Sequence, residues 1–67
     1  MDNVELRWDL QQALRALPRR QREVVALRYL DDFSEQDTAA ALAIDIGTVK
    51  SHASRGLSRL RTTVERV

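Results

Sequence analysis

The side chains able to do chemistry in this 67-residue chain gather near its end. No acid occurs between Asp45 and Glu65, while Thr48, Lys50, Ser51, His52, Ser54, Arg55 and Arg59 supply cations and small hydrogen-bonding groups at helical intervals. Arg can bond guanine bidentately, Lys and Thr can meet phosphate, and Ser or His can bond a base edge or a phosphate without crowding it. Such a set suits the major groove of duplex DNA, because a helix that is merely solvated normally mixes acids with bases. Arg19, Arg20 and Arg22 form a second basic cluster. Three arginines in a first helical turn oppose the helix dipole, so they read either as a contact to DNA phosphate or an acidic protein surface, or as a solvated face. Trp8 reads as the edge of the core or as an anchor for a partner.

Other chemistries have less to work with. His52 is the single histidine and there is no cysteine, so neither a zinc site nor a disulfide framework is expected, and no cofactor. Asp31 and Asp32 are adjacent but have no base, nucleophile or glycine-rich phosphate loop beside them. Catalysis is not expected, nor is a small-molecule substrate.

Four helices are needed to position these groups. Leu6, Leu10, Ala13, Leu14 and Leu17 recur at helical spacing and predict a first helix over about 4–16, with Asp2 or Asn3 as its cap. Pro18 ends it and suits the first turn of a second helix, about 18–30. There Val24, Val25, Ala26, Leu27, Tyr29 and Leu30 could equally form a strand, but the helix-forming RRQRE stretch before them decides for helix. Ser34, with Asp37 three residues on, caps a short third helix over about 35–42. Its run of alanines predicts a close crossing by another helix. Ala43, Ile44 and Asp45 make the turn, with Ile44 as a buried plug and Asp45 as the cap of a fourth helix, about 46–64. Val49, Ala53, Leu57, Leu60 and Val64 form its core face, Thr48, Ser51, His52, Arg55 and Arg59 face outward, and Lys50 and Ser54 flank them. Gly56 beside Ala53 predicts tight packing.

The whole is one all-α domain over residues 1–67, a small four-helix unit containing a helix-turn-helix without a wing. A chain of this length buries only about 60% of the surface it exposes unfolded, so its core is thin. The formal net charge of +1 hides an asymmetry: residues 1–45 hold six Lys or Arg against nine Asp or Glu, and residues 46–67 five against one. A polyanionic partner for the last segment follows. No apolar run approaches the ~20 residues of a bilayer span, and MDNVELRWD is not a signal peptide, so a cytoplasmic setting without a membrane partner is expected.

The stretch LPRRQREVVALRYLDDFSEQDTAAALAIDIGTVKSHASRGLSRLR, Leu17 to Arg61, resembles region 4 of bacterial sigma factors, particularly the extracytoplasmic-function group. Leu-Pro with a following basic stretch, LRYLDDFS, the alanine-rich helix and GTVKSHASRGLSRLR stand in that family's order and spacing. The resemblance implies recognition of the upstream (−35) promoter element, a seat on the flap of the RNA polymerase beta subunit, and regulation by an anti-sigma factor to which Trp8 or the Arg19 cluster contributes. It places Lys50, Ser51, His52, Ser54 and Arg55 at groove-facing positions and Arg28 and Thr48 at phosphate-holding ones. Two residues depart from the family pattern: Ala43 stands where Gly is usual, implying strain in a left-handed turn or a different turn, and His52 stands where Arg is common. The family's promoter-melting domain is absent, which implies a fragment of a longer protein. TVKSH also resembles the recognition helix of LuxR-like regulators, though LRYLDDFS and the lack of that family's extra C-terminal helix argue against it. A helical protein-interaction module is the alternative of another class, and it leaves the acid-free face without a reason.

Overall fold

The computed structural model describes residues 11–65, with side chains described as far as Thr62. Trp8 and the expected start of the first helix lie outside the described residues, as does the Val64 side chain. Every regular element among the described residues is helical. Residues 11–15 are helical (α1), followed by Arg19–Val25 (α2), which continues as a π-helical turn over Ala26–Leu30, then Glu35–Leu42 (α3) and Ile46–Glu65 (α4).

Pro18 stands at the N-cap of α2 in an extended conformation, with φ −54° and ψ 148°. Its ring fixes φ near this value and leaves no N–H to satisfy, so it divides α1 from α2 without a linker. The second helix is not α-helical to its end, as its hydrophobic pattern predicts. Its last turn widens, and the Asp31 N–H reaches back to the Ala26 carbonyl at 3.1 Å. The extra residue in that turn carries Tyr29 and Leu30 to the surface at 46% and 58% exposure, so the apolar run ending in these residues is buried only in its first part.

Ser34 caps α3 as its sequence predicts: its Oγ accepts the Asp37 N–H at 2.9 Å. The inner face of α3 is not a strip of alanine methyls. Ala40 and Ala41 are exposed, and the fully buried residue is Thr38, whose hydroxyl donates to the Ser34 carbonyl at 2.8 Å. A threonine can be buried here because that bond leaves its methyl group to pack and its hydroxyl satisfied. The helix ends at Ala43, in the left-handed region at φ 56° and ψ 45°, with the Ile44 N–H bonded to the Ala39 carbonyl at 3.1 Å. This closing loop is a Schellman motif, which normally takes glycine at the left-handed position. The strained form of the turn is the one this chain adopts.

Two packed clusters hold the helices together. Val24 of α2 and Val49 and Ala53 of α4 form one, with Ala39, Leu42 and Ile44 against it. It joins α3 to α4 across the turn; Ile44 closes it half-buried, short of a fully buried plug. Ala13 and Leu17 pack with Val25 and Leu60 in the other, flanked by Leu14 and Leu57. Val49, Ala53, Gly56 and Leu60 are thus the buried spine of α4 and Leu57 is half-buried at its edge. Between the clusters α2 crosses α4 at Gly56, where a Cβ would lie 2.5 Å from Val25 Cγ2. Only a residue without a side chain allows that approach.

Candidate nucleic-acid interface

A rigid spine on one side of α4 leaves the other side to solvent, and the identity of the exposed residues follows from the 3.6-residue repeat. Lys50, Ser51, Ser54, Arg55, Ser58, Arg59 and Arg61 are all exposed, and from Ile46 to Val64 the helix carries no acid. The structure therefore brings Lys50, Ser51, Ser54, Arg55 and Arg59 onto one continuous surface. Ser58, one helical turn beyond Ser54 and Arg55, is exposed as well and, with Arg59, borders a groove lined by Ala13, Ala16 and Leu17. Ser51 and Ser54 are short and would let the helix backbone come close to a partner, while Lys50 and Arg55 beside them carry the charge.

Two expected members are less open. Thr48 is half-buried and its N–H donates to Asp45 Oδ1 at 2.8 Å, closing the N-terminus of α4. The Thr48 hydroxyl, and after it this amide, hold the Asp45 carboxyl below its ordinary value of 3.8. Hydrogen bonds to the ionised form favour it, so a charged carboxylate stands at the leading end of the basic surface. His52 is also half-buried, with Nδ1 shut away from solvent and unpartnered, so only its other ring nitrogen can meet an outside group.

Arg28 belongs to the π turn and not to α4, and it ties that turn to the loop that follows. Its Nη1 donates to the Phe33 carbonyl and its guanidinium lies 5.3 Å from the centre of the Tyr29 ring, while Nε is buried without a partner. These contacts brace the loop in which Asp32 adopts a left-handed φ of 58°. The basic cluster of α2, open in the sequence between an outside contact and a solvated face, is compensated in part from inside its own helix. Glu23 lies 3.5 Å from Arg19 and 3.1 Å from Arg20, and Arg22 reaches the Arg15 carbonyl at 3.5 Å. Exposed pairs of this kind contribute little stability, but they do relieve the repulsion among neighbouring cations. Gln21, between them in sequence, is buried with Oε1 unpartnered. Its place on the α4-facing side of α2 could have been read from the spacing to Val24 and Val25.

Among the described residues no three His, Cys, Asp or Glu side chains gather as a metal site, and no helix is long and apolar enough to cross a membrane.

Comparison with known proteins points the same way as the basic helix. The family described as Sigma-70, region 4 matches residues 7–60. An RNA polymerase sigma-E factor of Streptomyces antibioticus is 46% identical over 56 residues, covering 84% of this chain and 31% of that protein. The RNA polymerase sigma-E factor of Streptomyces coelicolor is 48% identical over 52 residues, 78% of this chain and 29% of that protein. The ECF RNA polymerase sigma factor SigW of Bacillus subtilis is 37% identical over 59 residues, 88% of this chain and 32% of that protein. The chain thus spans about a third of the length of these relatives. The match runs over most of the chain and includes most of the basic helix: the chain belongs to the sigma-70 region 4 family, in its extracytoplasmic-function branch.

Proposed function

We propose that this chain is a promoter-binding module of an extracytoplasmic-function sigma factor, and that α4 reads the −35 element from the major groove. The observation that carries the reading is the exposed, acid-free side of α4, fixed in place by Val49, Ala53, Gly56 and Leu60 on its other side. A recognition helix enters the groove with its N-terminal half, so Ser51 and Arg55 meet base edges and Lys50, Ser54 and Arg59 lie toward the flanking backbone. His52 contributes its one accessible nitrogen. Thr48 and Arg28 are phosphate contacts by family position, yet both are already engaged within the fold, and their share in binding is the smallest of the set.

The same reading gives the module a cytoplasmic setting, with the beta-subunit flap of RNA polymerase and an anti-sigma factor as its protein partners. Arg19, Arg20 and Arg22 are the candidate contacts on that side, together with Trp8. Selection of bound duplex from a random pool by this chain tests the reading: a recovered motif supports it. Retention of all sequences alike, with no motif, contradicts sequence-specific recognition.

A further inference from the structure

Asp45 is the acid that directly precedes the basic helix, and the fold gives it a definite place. It precedes α4 directly, is exposed, and spends Oδ1 on the Thr48 N–H at 2.8 Å. Gly47 in the first turn is exposed as well, and a Cβ there would have nothing nearer than Asp45 Oδ1 at 3.9 Å, so the carboxylate borders open space. The N-terminus of a helix ordinarily attracts phosphate through its free N–H groups and positive dipole end. Here a fixed negative charge already occupies that end, and Lys50 is the first cation beyond it.

We infer that Asp45 acts as a brake on DNA affinity: it caps the recognition helix and, in the same position, repels the phosphates that flank the groove this helix enters. The inference rests on the groove reading of α4. Its consequence is that the chain sacrifices sequence-independent attraction at the leading end of α4, and discrimination falls more heavily on the base-facing side chains. Any duplex, promoter or not, feels this repulsion equally, because phosphates carry no sequence information.

Asn and Ser cap helices about as well as Asp but carry no charge. Asp45→Asn and Asp45→Ser should therefore keep the thermal transition close to that of the parent chain at neutral pH. Both variants should bind promoter-like and scrambled duplexes roughly two- to fivefold more tightly at low salt, as expected for losing one screened like charge near the backbone. The dependence of log affinity on log salt should steepen by up to about 0.9, the equivalent of one phosphate contact. Unchanged affinity in both variants overturns the brake while leaving the groove reading intact. Tightening by Asn alone also overturns it, since a new amide contact would then be responsible. A loss confined to one base position makes Asp45 a base reader instead. Failure of the parent and both variants to bind any duplex overturns the groove reading and the brake together.

Discussion

Ala43 and Gly56 hold each other's expected place. Ala43 sits in the left-handed region, where an L side chain meets its own backbone, and Gly56 sits inside a helix, where it forgoes helical propensity. Ala43→Gly should remove a steric cost of roughly 1–2 kcal/mol, part of which the larger entropy of an unfolded glycine offsets. A rise in stability of about 1 kcal/mol in urea denaturation is expected, and a decrease would mean that the turn is not strained. Gly56→Ala should go the other way. A methyl placed 2.5 Å from Val25 Cγ2 meets a buried, β-branched side chain that is stiff at χ1, so overpacking of about 1–3 kcal/mol outweighs a propensity gain of about 1 kcal/mol. Equal stability of the two proteins would show that α2 can move away from α4 at no cost.

At the level of whole helices, the caps and joints decide how the basic surface is presented. Asp45 anchors the start of α4 in its ionised form, and its pKa lies below the 3.8 of an unperturbed aspartate. The stability it adds is fully present above about pH 4 and is lost as pH falls through the lower folded-state value. The melting temperature of the parent chain should therefore drop relative to that of Asp45→Asn in this acid range, and parallel curves would remove the charged cap from the account. Arg28→Ala should free the Phe33 carbonyl and lose a charge-assisted hydrogen bond, costing roughly 1–3 kcal/mol in a thermal melt, with Arg28→Lys falling between. A change in DNA affinity without loss of stability would instead return Arg28 to the phosphates. The caps at Ser34 and Asp45 were legible in the sequence because a cap is a local matter of one side chain and one N–H. The buried Thr38, the π turn and the burial of Nδ1 in His52 were not, because each is set by how closely a neighbouring helix packs, and periodicity carries no such distance. The alanines divide for the same reason: Ala39 packs beside Thr38 against α2 and α4 as a close crossing requires, while Ala40 and Ala41 face away, since small residues permit approach on any face.

Taken as a whole molecule, the chain separates its charges along its length, and the fold converts that gradient into a surface. Affinity for duplex DNA should fall steeply between low and moderate salt, because neutralised phosphates release counterions. Arg55→Ala should cost about 1–3 kcal/mol on the preferred sequence and less on others if Arg55 meets a base, and equally on all if it meets phosphate. The outline of this arrangement, four helices with the last one basic, is readable from charge and spacing; the compensation of Arg19 and Arg20 by Glu23 depends on the rotamers of three long side chains, which spacing alone does not fix. The most direct test is a nuclear magnetic resonance titration of the chain with promoter-like duplex, following each backbone amide. The largest shifts should fall on residues 50–55 of α4, with those of α2 small; shifts confined to α2 and absent from α4 would contradict the groove reading.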